Sequence, residues 1–499
     1  MSIFEMIANA LNEDGMLPDH FHLPDEHFEE KGLKFAPGAL DGIAFYHGLG
    51  PSDEEKEFAS LINAIKAASD GDKELAFSYA YEFAAKGMML HHIDNMQKYL
   101  IDNEAELNTQ NIADFAVELM YDGEKKEAVK FALAILELFD TNQSEMYKEP
   151  IRLLAKYDEF TLSAVFHMRN WDNASQEMFD AVKCVHDWGR IHIVRIWEPE
   201  NEEMEEWLIK NGVKNGVAEY SGLDCFEKVH YMDRLGKDMS LEIYRGMAAI
   251  MSDLLMEGPV PGISAIENKQ ELFREFLNAS KKRNDLEASD YRGLLDLMNY
   301  CEDSENDCTE YYQEIKQIFE SESFSAKMKA ALERHGCFQM ARELGYEYQP
   351  YAYEMVCEDC LKNSWWASML ILDDYRADEI YEMMNKAIDL DKLASGSDNL
   401  YFAEGDYQGA GAADHILQAM RKKVGANIPL VKAALLSSVT RTRNFALSVI
   451  ESWMKITFQT VEKISDDLAE HIRNIVDDEV VDQVKQRMIN VLNNDIREE

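Results

Sequence analysis

"PSDEEKEFASLINAIKAASDG", residues 51–71, decides the reading of the fold. Ser52 with Glu55 three residues on is a capping-box pattern, in which hydroxyl and carboxylate each satisfy a free backbone N–H at a helix start. Phe58, Leu61, Ile62 and Ile65 then recur at helical spacing, and Gly71 supplies a stop. The same sentence structure returns in "KELAFSYAYEFAAKG" (73–87), in "NIADFAVELMYDG" (111–123) and at once in "KKEAVKFALAILELF" (125–139). More than twenty such segments follow one another between residues 52 and 494. Each carries one apolar stripe and ends at Gly, Pro or an Asn/Asp/Ser cluster.

A stripe of this kind cannot be buried by one short helix alone, so successive helices must cover one another. The rhythm therefore predicts an all-α chain, an irregular HEAT-like α-solenoid of stacked helix pairs. Strand candidates are few: "LKFAPG" (33–38), "GIAFYHG" (42–48) and "NLYFAEG" (399–405). The expected organisation is an N-terminal extension with little helix (1–50), a first helical stack (51–185) and a second (186–392). A Gly/Ser/Asp-rich loop or linker (393–414) and a C-terminal stack (415–499) complete it.

Composition narrows the function classes. The formal net charge is −44 over 499 residues. A phosphate-binding face must be locally positive, so nucleic-acid binding and adsorption to anionic membranes are disfavoured. The opening "MSIFEMIANALNEDG" has no basic n-region and does not read as a signal peptide. No run approaches 18 apolar residues, so no membrane span is expected. Seven cysteines spread along a long chain suit reduced thiols and a cytoplasmic location.

"HDWGRIHIVRIW" (186–197) concentrates two His, two Arg and two Trp. On a helix Trp188, His192 and Arg195 share a face. One reading is a buried joint, with Arg190 or Arg195 pairing an acid or capping carbonyls of a neighbouring helix. The other is an active site, for which His186 and His192 lie nearly opposite one another on the helix. "RTRNFALSVIESW" (441–453) superposes on this stretch when Arg443 is placed on Arg190. Two of the three following apolar positions then match. A basic residue just inside the helix start, followed by aliphatic residues, resembles the second helix of HEAT-like repeats.

"PDHFHLPDEHF" (18–28) holds imidazoles and carboxylates at short spacing, the elements of a metal site. Its His20 and His22, with the lone Glu-x-x-His pair Glu227 and His230, are the candidate metal ligands. Their alternative is a solvated acidic arm. The single C-x-x-C, Cys357 and Cys360, lacks the second pair that zinc needs and the βαβ context of a redox motif; its thiols are expected on one helix face. Dinucleotide, phosphate-loop, nucleophile-elbow and zincin motifs are absent from the sequence. No cofactor is expected.

Residues 416–463 form a basic island in this acidic chain. Arg421, Lys422, Lys423, Lys432, Arg441, Arg443, Lys455 and Lys463 face only Glu451 and Glu462. The island reads either as a site for an acidic partner or as an internal dock for acidic segments. "NSWWASMLIL" (363–372) reads as core, or as part of a partner groove.

"LKFAPGALDGIAFYH" (33–47), followed by a helical array containing "DWGRIHIVRIWEPENEEMEEWLIKNG" (187–212), resembles a group of bacterial helical proteins, some labelled limonene hydroxylase. That resemblance implies a helical fold, and the label implies an oxygenase. The sequence carries no flavin or nicotinamide fingerprint and no paired di-iron motif to go with it. The expectation is therefore a protein-interaction scaffold without catalysis, its partner another protein. That partner meets the basic island with an acidic patch, or meets the acidic surface elsewhere with a basic one. The expected contact residues are Trp188, Arg190, Arg421, Lys422, Lys423 and Arg443. A metal- or cofactor-dependent enzyme is the alternative.

Overall fold

The computed structural model describes residues 1–18, 21–24, 35–48, 54–303, 308–400 and 407–495. Among these residues there are thirty α-helices and no strand; a single parallel bridge joins Leu400 to Val439. The chain is all-α, as its rhythm predicts. No helix among the described residues is long and apolar enough to cross a membrane.

The opening 50 residues depart from expectation. Residues Ile3–Ala10 form a helix with a complete capping box between Ser2 and Glu5. Residues Ala39–His47 form a second, so "GIAFYHG" is helix rather than strand. Its alternating pattern misleads because Ile43 and Phe45 stay 40% and 43% exposed, while the small residues turn inward. Gly42 is the reason this face can be buried. A Cβ there would stand 2.1 Å from Trp188 Cε3, so only glycine lets the helix settle on the indole. Of the other strand candidates, residues 401–405 of "NLYFAEG" and 33–34 of "LKFAPG" lie outside the described residues. Ser52 lies outside them too, and the helix it heralds is described as Glu54–Ser69.

The molecule divides into two compact units. The first comprises residues 1–286 and 290–318, the second 287–289 and 319–499. The boundary expected at 185–186 falls inside the first, and the 393–414 segment inside the second. In the first, helices pack on near neighbours along the chain: Glu54–Ser69 on Lys73–Ala84, Thr109–Asp122 on Lys126–Leu136, Asp158–Met168 on Asp187–Ile196. The helix Lys126–Leu136 is buried along its whole length. In the second unit, Gly409–Met420 lies between Ser364–Leu372 and Thr440–Thr457, and Ile428–Leu435 also packs on the latter. Trp197 and Trp453 are the largest fully buried side chains, one in each unit.

Candidate functional site: two buried polar joints

The helix Asp187–Ile196 buries every residue from Trp188 to Val194. Such a helix cannot satisfy its ends with water, so neighbours must do it. Its N-terminus has no side-chain cap of its own. Asp158, the first residue of Asp158–Met168, supplies one: its carboxylate accepts from Gly189 N at 2.8 Å and from His186 N at 3.5 Å. The carboxylate also meets the positive end of the helix dipole. Gly189 makes room, since a Cβ would lie 2.8 Å from both Asp158 Oδ1 and Thr161 Oγ1. At the other end Lys228 donates to the carbonyls of Val194, Arg195 and Trp197 at 2.8, 3.0 and 2.7 Å.

Arg190 is 8% exposed and caps carbonyls, donating to Lys214 O at 2.5 Å and Val185 O at 3.0 Å. Arg195 pairs with Asp224 at 2.9 Å. Trp188, 5% exposed, packs with Ala39 and Ile191 beneath Tyr46 and Tyr220. Trp188 and Arg190 are thus occupied inside the fold and present no surface. His192 is fully buried; neither ring nitrogen has a hydrogen-bond partner. Burial, with the Lys130 charge nearby, lowers its pKa to about 3, so the imidazole is neutral.

Beside this joint lies a cluster the sequence reading missed. Lys130 donates to Asp41 at 2.7 Å and Glu159 at 2.7 Å, and to Glu127 at 3.2 Å, and Lys126 reaches Glu159 at 2.9 Å. All five side chains are at most 6% exposed. The carboxylates also cap backbone: Glu159 accepts from Gly38 N at 2.9 Å, Glu127 from Met89 N at 2.6 Å. Burial would raise Glu159, yet the Lys130 and Lys126 ammonium groups and Gly38 N–H outweigh it and hold the acid down to about 2. For Asp41 burial wins over the pull of Lys130 and raises it to about 6. The only sequence signal was two lysines and a glutamate at the head of the otherwise apolar "AVKFALAIL" (128–136). Spacing along one helix cannot reveal Asp41, far upstream of Lys130, or Glu159, on a later helix.

The second unit builds the same device. In Thr440–Thr457, Arg443 stands at the fourth helical position, as Arg190 does in its helix. It is fully buried, pairs with Glu479 at 2.9 Å and donates to Ser437 O at 2.6 Å. An aspartate of the partner helix Gly409–Met420 again faces the first turn, here through side chains rather than backbone amides: Asp414 accepts from Thr442 Oγ1 at 2.7 Å and from Arg441 at 2.8 Å. Trp453 N–H donates to Met420 O at 2.8 Å, and Trp197 N–H to Ser175 Oγ at 3.0 Å.

The structure sorts the basic island. Lys423 pairs with Asp374, Lys432 with Asp467, Arg441 with Asp414 and Arg443 with Glu479. Among the described residues, no acid stands in ion-pair contact with Arg421, Lys422, Lys455 or Lys463. Arg421 lies over the Phe445 ring at 5.8 Å, and its Nε is buried without a partner.

The candidate metal ligands that the structure describes, His22, Glu227 and His230, form no metal-binding group. His20 lies outside the described residues, and among those described no three His, Cys, Asp or Glu side chains converge to hold a metal. His22 lines a cleft of about 300 Å³ with Lys156, Asp158, Cys184, His186 and Asp187. Burial raises Asp158 there to about 7. Glu227 and His230 do not share a helix face. The helix Gly222–Lys228 ends before His230, which adopts a left-handed φ of 50°. Cys357 and Cys360 likewise part, because Gln349–Glu358 stops between them. Trp366 packs against Phe338 and Tyr348, while Trp365 is 49% exposed and lies edge-on to His415.

Compared with known protein families and with characterised proteins, the sequence finds no match.

Proposed function

We propose that this chain is a HEAT-like helical-repeat protein whose work is to hold another protein. The observation that carries the reading is the recurrence of one joint. Twice, a helix buries an arginine at its fourth position, receives an aspartate from the helix it pairs with, and anchors a buried tryptophan further on. A joint of this kind fixes the angle between stacked helices, which is what an array needs in order to present a defined surface. Packing between near neighbours along the chain supports the same reading, since each repeat of such an array touches chiefly those adjacent to it. The excess of acidic side chains favours fast, electrostatically steered association with cationic regions of a partner.

The alternative is an enzyme acting in the cleft around His22, Asp158 and His186, where a carboxyl near neutrality suits acid–base work. One experiment separates the two readings. The chain is purified from the cells that make it, without metal-chelating resin, and examined by light scattering, absorbance and metal analysis. A stoichiometric complex with a second polypeptide is expected. A solitary chain carrying a stoichiometric coloured group or metal would overturn the scaffold reading.

A further inference from the structure

The two halves of the basic island have different fates, and the unpaired half lies close in sequence to Phe458, the most exposed large apolar side chain described in the second unit. Helix Thr440–Thr457 ends in Phe458, which is 95% exposed. Its φ is 56°, the left-handed conformation that glycine usually takes at a helix end. A bulky side chain there costs stability, and this one recovers nothing by burial. Two residues back, Ile456 is 51% exposed beside the exposed Lys455. Lys463 follows on the next helix, Val461–Ile464, which packs against the same segment. The Trp453 N–H bond to Met420 O brings the end of Gly409–Met420 alongside. The loop leaving it carries Arg421, exposed Lys422 and Val424, the last 42% exposed. The nearby acid Glu462 is committed to Arg473, and Glu451 to Arg487.

We infer that this end of the helix pair, with Phe458, Ile456 and Val424 beside Lys422, Lys455 and Lys463, is the docking surface for an acidic segment of a partner protein that carries aromatic or leucine side chains. The inference rests on the scaffold reading and names the partner's chemistry. Charge selects the occupant. In a chain of net charge −44, three cations that make no ion pair among the described residues attract carboxylates from outside, while the exposed apolar groups demand a side chain to cover them. Phe458 is the anchor, since aromatic side chains contribute most where they become fully covered.

The test uses the full chain and a displayed library of short random peptides. Selection on the native chain is followed by binding measurements on Phe458→Gly and on Lys455→Glu/Lys463→Glu. The enriched peptides are expected to be strongly acidic and to contain Phe, Trp or Leu. Phe458→Gly should weaken them by about tenfold or more, the loss of one buried anchor. That variant does not fail for want of folding, because glycine relieves the left-handed strain and its melting temperature should not fall. The double charge reversal should weaken binding again and flatten its salt dependence. Enrichment of neutral or basic peptides, or affinities indifferent to Phe458→Gly, would overturn the inference. So would self-association of the native chain abolished by the same substitution, which would make a second copy the occupant. A native stoichiometric complex that survives Phe458→Gly would leave the scaffold reading standing and remove this surface from it.

Discussion

Replacing Lys130 with methionine should be among the most damaging single changes in the first unit, and its cost should depend on pH. Lys130 is the shared cation of three buried carboxylates, with Asp41 and Glu159 each at 2.7 Å. Methionine keeps the apolar stem and removes the charge, leaving Lys126 as the only cation among three acids. Removing one partner of a buried pair costs about 3–5 kcal/mol, because the remaining charge is neither solvated nor matched. Protonation caps the loss. Asp41 already sits near 6, so neutralising it at pH 7 costs only about 1.4 kcal/mol, one pKa unit. In the variant Asp41 rises further above its unfolded value, and Glu159, no longer held down by Lys130, rises with it. Groups raised in the folded state contribute stability at low pH that is lost as pH rises through the folded value. The deficit should therefore be about 3–5 kcal/mol at pH 8 and shrink to about 1–2 kcal/mol near pH 5. Guanidinium unfolding followed by tryptophan fluorescence reads it, since Trp171, Trp188, Trp197 and Trp207 report on this unit. Adding Asp41→Asn to the variant should restore part of the loss. A deficit below about 1 kcal/mol, or one that stays constant between pH 5 and pH 8, would refute the argument that the cluster is held by unmet charge rather than by packing.

Arg443→Met should cost about 3–5 kcal/mol in the second unit, and Arg443→Met with Glu479→Leu should recover much of it, measured by the same unfolding followed through Trp453. His192 is held near 3, so it stabilises the fold above about pH 6.5 and withdraws that stability as pH falls toward 3; His192→Leu should flatten the slope, worth about 1.4 kcal/mol per pH unit, in melts between pH 6 and pH 4. Gly42→Ala should cost about 1–3 kcal/mol through collision with Trp188 and should shift the indole emission. Phe458→Gly should raise stability by about 1 kcal/mol in calorimetry, the opposite sign to most helix-end substitutions.

The helical rhythm was legible from residue 54 onward because burial imposes a period that single residues report locally. The pairing roles of Arg190 and Arg195 were legible as well, the first buried against carbonyls and the second half exposed beside Asp224: a basic residue amid aliphatic ones has few options other than carbonyls or an acid. What escaped was everything set by distance in sequence. Asp41 stood between two strand candidates, and nothing near it announced Lys130. The basic island read as one feature, while the fold divides it by which acids happen to lie opposite. The Glu227–His230 pair assumed a continuous helix, and the left-handed His230 breaks it. Arg443 read as a surface anchor because local sequence cannot show that Glu479 sits buried against it.

The helix Asp187–Ile196 borrows both of its ends, Asp158 at one and Lys228 at the other. A helix that owned its caps could persist while its neighbours opened. This one cannot, for its first and last turns would lose their partners together. Opening of the Asp158–Met168 helix or of Gly222–Lys228 therefore propagates through it, and the segment from residue 158 to residue 228 should open as one cooperative block. In hydrogen exchange the amides of Gly189 and Ile193 should be released together with those of the flanking helices, at one shared free energy, so that these repeats cannot be peeled away one at a time.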